Sequence, residues 1–159
     1  MRSTLFLTLT LLAPSVAAEP PTPAPLGMEI GGQCATEINP ENVTDKRVDR
    51  VFGGATYRLT PNAAEMEGVR LIFVQCNDAG TLGQVELFVD KSQGLDAFRS
   101  MASEIAATYP SAPTDEATPG LSAYAAEGVS IEVFAPEKAY LLNLSFTASS
   151  FQEHQLARR

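Results

Sequence analysis

Residues 68–110 read GVRLIFVQCNDAGTLGQVELFVDKSQGLDAFRSMASEIAATYP, and this stretch decides the fold. Side chains alternate between the two faces of a strand, so Leu71 and Phe73 share one face of a first strand. Ile72 and Val74 lie on its other face. Because both faces are apolar, the pattern predicts a central strand that is covered on both sides.

A turn and a second strand follow. The turn sequence NDAG at residues 77–80 has a physical basis, because Asn and Asp bond to their own backbone and Gly accepts a positive φ. In the return strand Val85 and Leu87 share a face, whereas Glu86 points the other way. This alternation predicts a strand with one side in water, on which Phe88 is the apolar exception.

The last part of the stretch predicts an amphipathic helix. Ser92 can cap its N terminus. Tyr109 ends it, since Pro110 disfavours the helical conformation at the residue before it and lacks a backbone donor. Apolar residues recur at three- and four-residue spacing, as a helix packed against a sheet requires: Leu95, Phe98, Met101 or Ala102, and Ile105.

The remaining chain predicts further strands. Residues 51–59 form one before the central hairpin, and three follow the helix at residues 121–126, 129–134 and 140–146. The charged stretch 41–50 is predicted to be a solvated loop or helical turn. The fold class is therefore α+β, a mainly antiparallel sheet of about six strands with helices packed on one face. Each half resembles a helical segment followed by three strands, which suggests an α-β-β-β pseudo-repeat.

The N-terminal region predicts export. Residues 1–18 have the charged start, the short apolar run and the small-residue cleavage site of a secretory signal peptide. The apolar run is shorter than the ~20 residues of a membrane-spanning helix. Residues 19–25 contain four prolines and predict an extended tether outside the core. Residues 26–159 then form a single domain, and we expect it to be periplasmic or secreted, without a membrane anchor after cleavage.

The negative charge of the chain argues against two classes of partner. The 159 residues carry a formal net charge of -8 at pH 7. Nucleic acid and anionic lipid both require a concentrated basic surface, so neither is expected as a partner. The hydrophobic fraction of 45% is that of a globular chain and argues against disorder.

Two cysteines, Cys34 and Cys76, are present. In an oxidising compartment they predict one disulfide, which would tie the N-terminal segment to the end of the central strand. The chain-entropy stabilisation from closing a loop of this length is about 4 kcal/mol. A redox pair or a metal site is the alternative, but the wide spacing fits neither a Cys-x-x-Cys motif nor a zinc knuckle.

Catalytic patterns are weak. His154 is the single histidine and lies near the C terminus, where a general base is hard to hold in place. Asp115 and Glu116 are adjacent acids in a predicted loop, which are normally solvated. We therefore assign no catalytic residue, no cofactor and no metal site from the sequence.

Four aromatic residues form the candidate interaction surface. Tyr57, Phe88, Tyr124 and Phe134 are predicted to lie on the strand faces opposite the cleaner apolar rows. They would form either a second core layer or an exposed aromatic patch for binding a protein.

These features favour an exported, acidic, non-enzymatic domain that acts by binding a protein or ligand, such as another envelope or extracellular protein. Two alternatives stay open. The first is an envelope hydrolase that uses carboxylates, for which two acids converging in a cleft would be the sign. The second is a structural envelope component that assembles with itself. Ligand, organism and oligomeric state are left open by the sequence.

Overall fold

The structure, a computed structural model, describes residues 19–48, 53–114 and 118–157, without the side chains of residues 154–157. Several predictions from the sequence lie outside the described residues. They are the signal peptide at residues 1–18, the start of the strand predicted at 51–59, the acids Asp115 and Glu116, and the side chain of His154.

The described residues form eight strands and three α-helices, with short 3-10 turns between some of them. The helices are α1 (Cys34–Glu37), α2 (Lys91–Thr108) and α3 (Ser149–Ala157). The strands are β1 (Val43–Val48), β2 (Ala55–Leu59), β3 (Val69–Cys76), β4 (Leu82–Asp90), β5 (Ser111–Ala112), β6 (Leu121–Ala126), β7 (Val129–Phe134) and β8 (Leu141–Ala148).

These strands build one sheet in the order β1-β2-β3-β4-β8-β7-β6-β5, and every neighbouring pair is antiparallel. The chain runs inward from β1 to β4, and α2 then carries it to the far edge. From β5 it returns inward until β8 pairs with β4. The two long strands at the centre thus come from different halves of the chain.

The central stretch forms the hairpin and the helix that its sequence predicts. The side chain of Asn77 accepts a hydrogen bond from the Thr81 backbone N–H at 2.8 Å, which closes the turn between β3 and β4. Helix α2 ends at Thr108, directly before Tyr109 and Pro110. Its N-cap is Asp90 rather than the predicted Ser92, and the Asp90 carboxylate accepts from the Ser92 N–H at 2.9 Å.

One face of the sheet, here called the covered face, holds the core. Val74, Val85, Phe146 and Ile131 lie side by side across β3, β4, β8 and β7, and each of them is buried. Phe98 of α2 belongs to the same apolar cluster, as does Ile105. The helix stripe predicted from the sequence therefore packs on this face, with Leu95 and Ala102 at its margins.

The other face of the sheet is here called the open face. It shows that β3 is not covered on both sides, in contrast to the prediction from its sequence. Leu71 and Phe73 point to it and are half-buried, whereas Ile72 and Val74 are buried on the covered face. The strand is thus buried on one side only, instead of on both as the sequence predicts. Both of its faces are apolar because Phe73 packs against the aromatic ring of Phe88 on the open face.

The sheet has eight strands rather than about six. The two additional strands are β1 and β5, which form its two edges. The charges of Asp45, Lys46 and Arg47 led to the prediction of a loop, yet charged side chains are typical of edge strands because they oppose pairing with another chain. The predicted α-β-β-β repeat is wrong in the number of strands, since a helix precedes four strands in each half, α1 before β1 to β4 and α2 before β5 to β8.

The N-terminal segment is fastened to the sheet. Cys34 and Cys76 form the predicted disulfide, and both are buried. The backbone N–H of Gly31 also donates to the Leu82 carbonyl at 2.9 Å. Within the predicted tether, Pro23 is fully buried, so this part of residues 19–25 contacts the domain.

Candidate functional site

The open face presents a continuous row of side chains across all eight described strands. The strand pairings place Phe73 of β3, Glu86 of β4, Ser145 of β8 and Glu132 of β7 side by side at its centre. Arg58 of β2 continues the row beyond Phe73. These positions exist as one surface only because β8, the last strand in the chain, lies between β4 and β7.

An apolar row runs beside the central one. Phe88 of β4 pairs with Leu71 on one side and with Asn143 on the other, and Phe134 follows Asn143. The rings of Phe73 and Phe88 meet edge to face, with centroids 6.0 Å apart and planes at 81°, a geometry that aromatic pairs favour. All of these apolar side chains are half-buried, so each keeps some contact with solvent.

Glu86 and Glu132, here called the carboxylate pair, flank Ser145 at the centre of the open face. Because they are two strands apart, their backbones are separated by about 10 Å. Burial raises the pKa of the Glu86 carboxyl above its ordinary value of 4.5, and the negative charge of Glu132 raises it further. Both effects disfavour the charged form of Glu86.

Ser145 is the buried polar residue between the two carboxylates. Its hydroxyl accepts a hydrogen bond from the Gln84 side-chain amide at 3.1 Å and lies 3.3 Å from the hydroxyl of Thr147. These contacts satisfy the hydroxyl within the sheet, as a buried polar group requires. Ser145 therefore separates the two carboxylates without bonding to either of them.

The four aromatic residues predicted to form one interaction surface lie on two faces. Phe88 and Phe134 are on the open face, one on each side of Asn143. Tyr57 and Tyr124 are on the covered face, where they pair with Val74 and with Ile131. The strand register explains this division. Each tyrosine is directly opposite a buried residue of the neighbouring strand, so its side chain lies on the covered face.

Sequence reasoning missed the carboxylate pair. Alternation along β4 placed Glu86 on the wet side of its strand, and the same reading applies to Glu132 between Ile131 and Val133. The sequence offered no signal that the two acids are neighbours, because β4 and β7 are separated by α2, β5 and β6 along the chain. Only the insertion of β8 between them brings the acids to one surface.

An envelope hydrolase that uses carboxylates would hold two acids in a cleft. Four cavities among the described residues are lined by α2, by the covered face, by the N-terminal segment and by the connections that precede β3 and β8. Neither Glu86 nor Glu132 lines any of them. Both carboxylates are half-buried, so each keeps some contact with solvent.

The described residues match neither the pattern of a metal site nor that of a membrane-spanning helix. They hold no group of three or more His, Cys, Asp or Glu side chains placed to bind a metal ion. None of their helices combines the length and the apolar character needed to cross a membrane. The chain matches no protein-family model, and no curated protein or solved structure is significantly similar to it.

Proposed function

We propose that this chain is an exported, non-enzymatic binding domain that docks another envelope or extracellular protein on its open face. The half-exposed aromatic side chains of that face, Phe73, Phe88 and Phe134, carry the proposal. Aromatic residues on a rigid sheet are strong anchors for a partner protein, because they bury a large area at a small entropic cost. The opposite face is already used to build the core.

The carboxylate pair defines the chemistry of the partner. Glu86 is an unfavourable place for a negative charge in the free protein, since its pKa is raised by burial and by Glu132. A Lys or Arg side chain of a partner would relieve this by forming charge-assisted hydrogen bonds at the centre of the interface. The partner is therefore a protein that presents a basic side chain surrounded by apolar residues.

The same charges disfavour a second copy as the partner. A symmetric dimer uses the same patch on both subunits. Because Glu86 and Glu132 lie at the centre of the open face, such a pairing would bring like charges together in a partly desolvated interface. A concentration-dependent mass of the purified protein would support the self-assembling alternative instead.

Export is part of the proposal. The Cys34–Cys76 disulfide is consistent with an oxidising compartment. If residues 1–18 are a cleaved signal peptide, the intact mass of the exported protein corresponds to a chain that begins at Glu19. Two alkyl groups are then taken up only after reduction. A retained Met1 together with free thiols would contradict the proposed localisation.

Photo-crosslinking in the native host tests the docking face. A benzoyl-phenylalanine replaces Phe88 in one variant and Tyr140 in the control, since Tyr140 is 90% exposed and lies outside the open face. We expect a defined protein adduct at position 88 and none at position 140. Adding Glu86→Gln and Glu132→Gln should strongly reduce the adduct at 88 without lowering the thermal unfolding temperature, so that the loss is not a loss of folding.

Two outcomes of this experiment count against the proposal. Equal adducts at both positions would indicate random collisions, and the absence of an adduct at 88 would remove the open face as the docking site. The hydrolase alternative makes a different prediction, because it requires turnover of a substrate that stops on Glu86→Gln while no stable partner is captured.

A further inference from the structure

A groove lies on the covered face between α2 and the strands β6, β7 and β8, with a volume of about 630 Å³. It exists because α2 is narrower than the sheet. A helix with its side chains is about 10 Å wide and covers about two strands. Helix α2 packs on the central strands β4 and β8, so part of the covered face beyond it has no helix above it.

The walls of this helix–sheet groove are apolar. Phe98 and Ala102 form the side provided by α2, and Val133, Leu142 and the ring of Tyr124 form the side provided by the sheet. Phe98, Val133 and Leu142 are fixed in the core, so the groove is preformed rather than created by movement of a loop. Its volume is within the range of about 300 to 1,000 Å³ typical of small-molecule sites.

Two cationic side chains line the same groove. The ammonium group of Lys91 donates a hydrogen bond to the Glu137 backbone carbonyl at 2.6 Å, which holds it across the end of the groove. Arg99 lies two turns further along α2 and forms no ion pair with the described residues. The groove has one acidic lining residue, Glu137, in a chain with a formal net charge of -8.

This combination is specific to one side of α2. Two smaller cavities, of about 350 and about 370 Å³, lie on the other side, where the N-terminal segment packs. Neither of them is lined by a Lys or Arg. The apolar walls and the cationic groups therefore coincide in the helix–sheet groove and do not coincide in those two cavities.

We propose that the helix–sheet groove binds a small amphipathic anion, a carboxylate with an alkyl or aryl tail. The tail lies along the partly exposed side chains of Leu95, Ala102 and Tyr124, where it replaces water on an apolar surface. The buried side chains of Phe98, Val133 and Leu142 support this surface from below. The carboxylate lies at Arg99, which supplies charge-assisted hydrogen bonds, and Lys91 at the end of the groove adds positive charge. This site is on the opposite face from the proposed protein-docking surface and does not depend on it.

Titration calorimetry with dodecanoate, below the concentration at which it aggregates, tests the proposal. The comparison ligands are dodecanol and dodecyltrimethylammonium, which share the tail but not the negative charge. We expect dodecanoate to bind with one-to-one stoichiometry and more tightly than either. Arg99→Gln should weaken dodecanoate by about three- to tenfold, as expected for a charged hydrogen bond that is partly exposed to solvent, and should leave dodecanol unchanged.

A matched pair of helix variants locates the site. Ala106 and Ala107 are neighbouring exposed residues of α2, and of the two only Ala106 lines the groove. Ala106→Trp should occupy part of the groove and strongly weaken binding, whereas Ala107→Trp should bind as the parent does. Both side chains start at the surface, so neither variant is expected to unfold the domain. Phe88→Ser, on the open face, should also bind dodecanoate normally.

Several results would overturn the proposal. They are no binding of dodecanoate, equal affinity for dodecanoate and dodecyltrimethylammonium, or equal loss of binding in the two tryptophan variants. If Ala106→Trp lowers the unfolding temperature, Arg99→Gln decides the outcome, since an exposed Arg side chain is not needed for folding. Unchanged dodecanoate affinity in Arg99→Gln would then exclude the assigned anion position.

Discussion

At the scale of single residues, Glu86 occupies a position that disfavours its charged form. It lies between Phe73 and Ser145 on a sheet face, with a second carboxylate, Glu132, one strand further on. A carboxylate in such a place costs folding free energy when it is charged. Because Glu86 and Glu132 do not stabilise the fold when both are charged, we assign them to the recognition of a basic partner.

The pH dependence of stability tests this view of Glu86. Since its pKa in the folded protein is above the ordinary value of 4.5, the folded state binds the proton more tightly than the unfolded chain. Stability should therefore fall as the pH rises from about 4.5 through the folded pKa. Glu86→Gln removes this penalty, so the variant should be more stable than the parent at pH 7 and equally stable below pH ~4.

Urea unfolding across this pH range provides the measurement, and Glu127→Gln is the control because Glu127 is exposed in the turn between β6 and β7. The control should follow the parent at every pH. A Glu86→Gln variant that is less stable than the parent at pH 7 would contradict the assigned cause of the pKa shift.

At the scale of elements, the docking of α2 on β4 depends on a close approach of two backbones. Gly94 is buried in the first turns of the helix, against Gly68 and Val89. A Cβ added at Gly94 would lie 2.5 Å from Cγ1 of Val89 and closer still to the carbonyl oxygen of Glu67. The sequence pattern predicted the helix and its apolar stripe, but not that a glycine would set its distance from the sheet.

The substitution Gly94→Ala has two opposing effects on stability, one from helix propensity and one from packing. Alanine is favoured over glycine in a helix by about 1 kcal/mol, whereas overpacking against backbone atoms that cannot move freely costs about 1 to 3 kcal/mol or more. We expect packing to dominate and the free energy of unfolding to fall by about 1 to 2 kcal/mol. Ser100→Ala, at an exposed position of the same helix, should change it by a few tenths.

Chemical denaturation of both variants gives these values. A Gly94→Ala variant that is more stable than the parent would indicate that α2 moves away from β4 at no cost, and the close approach would then have no role in positioning the helix.

At the scale of the whole molecule, two meanders of four strands meet at the β4–β8 pair, and a helix follows each of them. The arrangement places one open face and one covered face across the full sheet. The N-terminal segment is joined to this sheet by the Cys34–Cys76 disulfide, which spans a sequence separation of 42. It cross-links residues that would be far apart in the unfolded chain.

Removing the disulfide should destabilise the domain without changing its sheet. For a loop of this length the chain-entropy estimate is about 4 kcal/mol, and the loss of native disulfides typically costs about 2 to 5 kcal/mol. We expect the Cys34→Ser, Cys76→Ser double variant to lose stability in this range by urea denaturation. Reductant should lower the stability of the parent to a similar value and have no effect on the double variant. A parent protein that is insensitive to reductant would contradict this prediction.

Local sequence patterns determined several strands, one turn, one helix and the disulfide of this protein. The alternation in β3 and β4, the turn at residues 77–80 and the stripe of α2 are recorded in neighbouring residues, because strand and helix periodicities act over a few residues. The Cys34–Cys76 pairing followed from there being two cysteines. The edge strand β1 was missed because charge on an edge strand is indistinguishable, in sequence, from charge in a loop.

Only the tertiary structure decided which residues share a surface. Tyr57 and Phe88 look equivalent along the chain, yet strand register places one over the core and the other on the open face. Glu86 and Glu132 became neighbours because β8 returns between β4 and β7. Strand order and register are set by burial summed over the whole sheet, a quantity that no local stretch of sequence contains.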